Sequence, residues 1–588
     1  FRSDRRLGIG RFPRRGAQAR GFRVRGLPGR DVRRGGWSPG RHRPAAARSA
    51  HGGGWNDIDW KLRLSSRTGE FQPASGLVAV QLAAVHLGDE QLDVGMAAVH
   101  LVIHRAQVLT QDWPALYDEI AAMHDTALRV LEELGMRVLL DEARQIYREG
   151  GAIVDEQTQM VRIGRDMVAA ALATAPRSIR LRAANSQREQ VFEPGAALFM
   201  AGSGCPNAFD NERGRRPGSK RDYIETLRLQ QSFGAIHMHG PSAEPQDVAV
   251  NVRHYTLMEE QLANCDKPMF VYARGRRQVA EAFEMIRIAR GLDEAGFTDG
   301  VWATTVINTN SPRQLDIPMS RGIIDFARAG QLSLITPFCL SGAMAPVTVS
   351  GALVLQHAEA LAGITLAQLA RPGAPVAYGG FSSNVDMKSG SPAFGTPEHI
   401  RANLGSGQLA RHIGLPWRSA TGAASNVADA QGATETVMAL WGAMLAQATV
   451  TIHAAGWLEG GLTFGYEKFI LDMEALQTLA MLCRPAPADT AALAFDAIAE
   501  VPPGGHFFAT QHTMERYQDA FYVPLVADLS NHGSWTDAGA LRADQRATAV
   551  WKQTLAAFVP PAACEGVRER LAGWIGERIA AGGAAPED

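Results

Sequence analysis

The sequence predicts an α/β fold: a (β/α)8 TIM barrel with an N-terminal helical layer and a C-terminal helical extension. Short β-rich apolar runs recur eight times between residues 197 and 454, and each is followed by a loop and a helical stretch. The eight units fill roughly 290 residues, a size that suits such a barrel. A doubly wound sheet is the alternative, but it seldom has eight evenly spaced units.

Residues 1–112 stand apart. The chain has 588 residues, is 46% hydrophobic and 20% charged, and has a formal net charge of −1. That composition excludes collagen, a mucin stalk and a fully disordered chain, and the length implies two or more structural units. The charge averages two unlike pieces. Residues 1–95 hold 18 basic and 8 acidic side chains, leaving 41 and 52 in residues 96–588. The first 50 residues contain fifteen Arg and no Lys, and no Met precedes Met96. Such Arg/Gly/Pro/Ala text can be a basic arm for nucleic acid or anionic lipid. The missing Lys and Met and the lack of periodicity favour a non-native or disordered leader, so no nucleic-acid partner is expected.

Residues 113–190 read as a small, mostly helical layer. Asp112-Trp113-Pro114 resembles a helix start. Ile120, Met123, Ala127, Val130, Leu131 and Leu134 then recur at helical spacing until Gly135. The barrel is expected over 191–485. Its strands are expected at 197–201, 235–239, 268–272, 301–307, 332–338, 374–378, 416–420 and 449–454. Its helices are expected at about 220–232, 247–263, 277–291, 317–329, 347–370, 397–412, 430–446 and 465–482. Arg418 and Ser419 dilute the seventh strand. Residues 486–588 form the extension, helical over about 543–580, and the final AGGAAPED reads as frayed.

The five cysteines are far apart with no C-x-x-C, which disfavours a disulfide framework or a Cys-rich zinc site. No apolar run reaches the ~18–20 residues of a membrane span, and no signal peptide is visible. A cytoplasmic location without membrane attachment is expected.

Barrel catalysis sits at the C-terminal ends of the strands, which selects the residues worth weighing. Gly202-Ser203-Gly204-Cys205 permits close backbone approach, but no phosphate loop follows, and Cys205 reads as an ordinary loop cysteine. His237 and His239 share a face of strand two. They could be two zinc ligands, pocket lining or structural histidines; a third ligand is not apparent. Strand four ends at Asn308. Strand six ends in Tyr378, Phe381 and Asp386. Strand eight ends in His453, Trp457 and Glu459. Aromatic faces beside carboxylates suit a quaternary ammonium guest, although Tyr378 and Trp457 could equally be packing residues. There is no G-x-S-x-G, and Lys267 precedes strand three at the wrong end, which disfavours a Schiff-base aldolase.

These strand-end segments resemble the trimethylamine methyltransferase family. The text that carries the resemblance is INTNSPRQLD (307–316), the run 341–380, NVDMKSGSPAFGTPEH (384–399), DAQGATE (429–435), HAAGWLEGG (453–461) and YEKFILDME (466–474). The resemblance covers about 113–485. It implies a barrel that passes a methyl group from a methylated amine to the Co(I) of a cobalamin (corrinoid) cofactor. That cofactor is carried by a separate cognate corrinoid protein, and none is bound tightly by this chain. Founding members use pyrrolysine on trimethylamine. This chain has only standard residues there, so it resembles members acting on quaternary amines such as glycine betaine. Family barrels imply a homo-oligomer. On this reading Tyr378, Phe381 and Trp457 frame the cation. Asp386 and Glu459 supply negative potential, and His239, Asn308 and His453 line the pocket or bond a substrate carboxylate. Glu459, His453 and Asp386 are the catalytic candidates. Other readings are a metal-dependent lyase or hydrolase using His237 and His239, and a non-catalytic betaine-binding barrel.

Overall fold

A computed structural model describes residues 113–483 and 487–587. The expected leader, up to residue 112, lies outside the described residues. Seven parallel strands hydrogen-bond side by side. Their order is Leu198–Phe199, Val450–Ile452, Trp417–Ala420, Val376–Gly379, Leu332–Ile335, Ala303–Ile307 and Met269–Phe270. The second expected strand fills the remaining gap without forming a full strand. Met238 makes a single parallel bridge with Met200. His237 N donates to Phe199 O (2.8 Å), and His239 N donates to Pro268 O (3.2 Å). The ring thus closes as an eight-position TIM barrel.

Eight helices follow the eight positions: Lys220–Ser232, Arg253–Asn264, Arg276–Arg290, Ile317–Arg328, Val349–Ala370, Pro397–Ile413, Ala430–Leu445 and Tyr466–Leu482. Their starts are written in the sequence. Ser219 and Asp222 form a capping box, and Asp316, Thr348, Thr396 and Asp429 each accept a first-turn backbone N–H. By length and composition Val349–Ala370 could cross a membrane. It is instead a core helix, with Gln356, His357 and Glu359 buried among its apolar residues.

Strand parity decides what the barrel interior contains. Leu198, Met200, Met238, Phe270, Leu332, Leu334, Ala377, Val450 and Ile452 form one buried cluster inside the ring. Tyr378, Trp417 and Ile335 belong to the cluster between strands and helices. Ile179, Leu181 and Phe192 join the interior cluster from a hairpin pairing Ile179–Leu181 with Gln190–Phe192. Leu181 bridges to Val301, just before the fourth strand. This hairpin floors the barrel, so the space inside opens at the C-terminal end.

The front layer is less helical than its periodicity predicts. Helices Trp113–Arg129, Asp141–Glu149 and Arg165–Thr174 alternate with strands Met136–Val138, Ile153–Asp155 and Met160–Arg162. Gln314–Leu315, from a barrel loop, completes that sheet. Runs of three residues are too short for a period-2 pattern to register. In the extension, helix Ala543–Ala556 packs on Tyr466–Leu482, where Trp551 Nε1 donates to Glu467 Oε1 (2.9 Å). The last residues are not frayed. Ala584 N donates to Asn251 O (2.8 Å), Glu587 N donates to Arg274 O (3.1 Å), and Glu587 pairs with Arg321.

Several histidines are buried without charge. Burial, with His412 nearby, pushes His124 down to about 4. Burial, with Lys267 nearby, does the same for His237, and burial does so for His399. The unfolded chain takes up these protons near pH 6.5, whereas the folded chain takes them up only near 4. Their contribution is therefore complete above about pH 6.5 and drains away as pH falls toward 4. The urea midpoint is expected to decline across that window, and a midpoint flat from pH 7 to 4.5 would contradict the assignment.

Candidate active site

A cavity of about 600 Å³ lies at the C-terminal mouth of the barrel. Its wall draws on the loops after strands one, three, four, five, six and eight, and on Arg418 from strand seven. Phe338, Phe381 and Trp457 supply aromatic surface, His453 an imidazole, and Asn308 an amide. Phe381 lies 4.9 Å from Phe338 and 6.1 Å from Trp457 between ring centroids. His453 lies 3.5 Å from Trp457. No Asp or Glu is among the lining residues.

The loop after strand eight is built to hold Trp457. Its indole sits in a slot between Gly422 and Gly461, whose φ angles are +139° and +107°. A Cβ at Gly461 would come within 2.3 Å of the ring, and one at Gly422 within 2.9 Å. Both glycines are therefore required by conformation and by space. Behind the loop, Gly456 N donates to Asp472 Oδ2 (2.9 Å). The other oxygen of Asp472 meets the buried Lys468 ammonium, which also donates to Thr436 Oγ1 (2.7 Å). His453 itself has φ +63°, a conformation that L residues adopt at a cost, seen at ligand-facing positions. A second buried carboxylate shapes the loop after strand four. Glu359 accepts from Thr309 Oγ1, from Ser311 Oγ (2.7 Å) and from Arg313 N (2.7 Å).

Four of the eight sequence candidates meet here: Phe381, Trp457, His453 and Asn308. The other four do not. Ala377, not Tyr378, faces the barrel interior, so Tyr378 points to the helices and accepts from Gln356 Nε2 (3.0 Å). Met238 likewise faces in, which turns His237 and His239 outward. His239 Nε2 bonds Gln231 Oε1 (3.1 Å), and His237 Nδ1 accepts from Phe199 N (3.1 Å). Among the described residues no group of three His, Cys, Asp or Glu side chains is placed to hold a metal, so the two-histidine zinc reading loses its geometry. Asp386 is exposed and folds back on Ser389 Oγ (2.7 Å). Glu459 is engaged by Arg215 Nε (2.8 Å) outside the cavity wall. The expected negative potential from carboxylates is therefore absent from the wall.

Sequence reasoning missed two cations in the wall, Arg274 and Arg418. Arg274 is neutralised by Glu244 (3.2 Å and 2.5 Å). Arg418 is 2% exposed. Its Nη2 meets His453 Nε2 (3.2 Å), its Nη1 reaches Gly380 O (3.4 Å), and its Nε has no partner. Burial lowers its pKa to about 9, so it stays cationic at neutral pH. Burial, reinforced by the Arg418 charge, pushes His453 well below its usual range, so that imidazole is neutral. The available signal was a charged residue inside an expected barrel strand. No nucleophile is activated nearby: Cys205 and Cys339 are buried, and burial drives both thiols upward.

The family model for trimethylamine methyltransferase matches residues 96–583. The chain belongs to the trimethylamine methyltransferase family. Glycine betaine methyltransferase of Desulfitobacterium hafniense strain Y51 is 33% identical over 463 residues, covering 78% of this chain and 96% of that protein. Trimethylamine methyltransferase MttB of Desulfitobacterium hafniense strain DCB-2 is 30% identical over 434 residues, covering 73% and 86%. A solved monomethylamine methyltransferase from Methanosarcina barkeri aligns at TM-score 0.39 and 11% identity, covering 68% and 90%. In this member of the trimethylamine methyltransferase family, Asn308, Phe381, His453 and Trp457 line the cavity mouth. Replacing Lys468 with Met strands Asp472 in the core, and unfolding free energy is expected to fall by about 3–5 kcal/mol. Denaturant titration measures this; a loss below about 1 kcal/mol would mean Lys468 does not hold the pair.

Proposed function

We propose that this chain transfers a methyl group from a quaternary amine to a corrinoid carried by a separate protein. The carrying observation is the cavity wall: aromatic rings, a neutral imidazole, small loops and two guanidiniums, one of them neutralised by Glu244, with no acid, no activated thiol and no metal-ligand cluster among the described residues. When that protein is docked, the corrinoid supplies the nucleophile that accepts the methyl group.

The chain's own residues then have three tasks. Phe338 and Trp457 offer ring faces to an ammonium that cannot donate hydrogen bonds. The Gly422–Gly461 slot fixes the indole, so the guest is held in one orientation and one methyl points out of the mouth. The aromatic rings of the wall and the hairpin floor exclude water from the breaking bond. As the C–N bond breaks, its electron pair stays on nitrogen. A quaternary cation therefore leaves as a neutral tertiary amine and needs no proton from the enzyme. That agrees with a His453 too depleted in basicity to serve as an acid at neutral pH.

The test is incubation with Co(I) cobalamin, or with a purified corrinoid protein, and a panel of quaternary amines. The demethylated tertiary amine is then followed by mass spectrometry. Product is expected only when enzyme, amine and Co(I) are all present. Trp457→Ala is expected to lower kcat/KM by about 10- to 100-fold, while Asp386→Asn, in its exposed loop, leaves it unchanged. No product across the panel with either acceptor would overturn the reading.

A further inference from the structure

Residues 487–521 form an arm that the other described residues leave uncovered. It departs after helix Tyr466–Leu482 and returns to the same helix. There Tyr522 Oη donates to Glu474 Oε1 (2.7 Å), and the Val526 and Ala527 N–H groups donate to Glu474 Oε2 (2.6 Å and 3.0 Å). Within the arm only Ala497 and Thr510 are buried. Its helices, Thr490–Leu493, Phe495–Glu500 and Gln511–Arg516, are each too short to hold themselves together. Yet its composition is not that of a flexible linker, which is poor in aromatic residues. Phe495, Phe507, Phe508, Tyr517 and Phe521, with Leu493, Ile498 and Met514, are 45–83% exposed. At roughly 150–250 Å² for each aromatic side chain, these residues leave on the order of 1,000 Å² of apolar surface in water. That exceeds the few hundred Å² that a monomer ordinarily exposes in one patch, and it matches the roughly 800 Å² that each partner gives to a stable interface.

The same chain carries a second uncovered apolar surface. Barrel helices Ala430–Leu445 and Tyr466–Leu482 pack side by side. Barrel helices run back from the mouth, so the last turns of these two lie together at the closed end. Val437, Trp441 and Leu445 form one stripe at four-residue spacing. Met438 lies beside it, and Met481 and Leu482 end the neighbouring helix. All six are 37–64% exposed with the chain's own arm in place. We propose that two copies of this chain exchange arms, residues 487–521 of each packing on this six-residue patch of the other about a two-fold axis. Three observations select a second copy as the occupant. Both surfaces are on every chain, so one reciprocal contact covers both and closes, whereas a different protein would have to cover two separate surfaces. The arm springs from the patch itself, five residues after Leu482, so two arms crossing at an axis beside Leu482 each reach the other copy's patch. The arm also carries Asp489, Asp496, Glu500, Glu515 and Asp519 against Arg516 alone, the wrong sign for an anionic lipid surface. The patch opposes it with no like charge, because residues 436–445 contain no acid. Exchange at the closed end leaves the cavity mouth open.

Sedimentation of the full chain tests this, and a dimer is expected at micromolar concentration. One double variant alters the arm (Phe508→Asp with Phe521→Asp) and another alters the patch (Trp441→Glu with Leu445→Glu). Each is expected to raise the dimer dissociation constant at least about 30-fold, as for loss of interface anchors. All four positions are exposed, so the far-UV circular dichroism is expected to stay that of the parent chain. Mixed in equal amounts, the two variants are expected to form dimers again, because the intact arm of one meets the intact patch of the other. A monomeric parent chain, a patch variant that stays dimeric, or no recovery on mixing would overturn the proposal. A monomer that pellets with anionic phospholipid vesicles would overturn it in favour of a lipid surface. Hydrogen exchange of the unaltered chain reads the same contact without any substitution. Amides in 490–516 and 438–445 are expected to lose protection together on dilution. Protection of both that is independent of concentration would assign the cover to residues 1–112 of the same chain and would also overturn the exchange.

Discussion

Closure of the parallel ring is the constraint from which the site follows. Val450 and Thr451 pair with Leu198 and Phe199, although about 250 residues separate them in the chain. That pairing carries the loop after strand eight against the loop after strand one. Gly202 N donates to Ala455 O at 2.8 Å, and Ser203 N lies 3.3 Å from His453 Nδ1. An open sheet would leave these segments at opposite edges, and Ser203 and Gly204 would not share a wall with His453 and Trp457. The ring closes at its weakest position, where Met238 bridges alone, because two flanking backbone bonds from His237 and His239 take over the ladder. The hairpin beneath seals the other end, so the same closure defines both cavity and direction of access.

Much of this was legible because the helices are long and locally consistent. The helix starts carry their capping residues, and short apolar runs mark the strands. Parity was not legible. A period of two shows that Tyr378 and Ala377 face opposite ways, and the same holds for His237, Met238 and His239. It does not say which side is the interior. Both faces of a barrel strand are buried, so hydrophobicity marks neither. The chemistry of Tyr378 and His239 suits a pocket, but the register places both, with His237, away from the barrel interior. Arg418 is the converse case. It looked like a flaw in a strand and turned out to be the charged feature of the wall. The front layer failed for another reason: its strands are held by pairing with distant partners such as Gln314–Leu315, which a local window cannot register.

Carboxylates matter to this site mainly from behind it. Asp472 fixes the turn before Trp457, and Glu359 gathers the loop after strand four. Glu244 cancels Arg274. Each is spent on the scaffold, and burial raises the pKa of both Asp472 and Glu359. On the proposed function, the cation-binding role expected of Asp386 and Glu459 falls to ring faces, which attract an ammonium while excluding water. A carboxylate in the wall would bring its own hydration and would bind a departing neutral amine no better than any other polar group.

Charge changes sign between the far field and the cavity mouth. Residues 96–588 hold 52 acidic and 41 basic side chains, so the far field of that part of the chain favours the approach of a cation. Inside the mouth the sign reverses, because Arg418 is cationic and His453 is held neutral beside it.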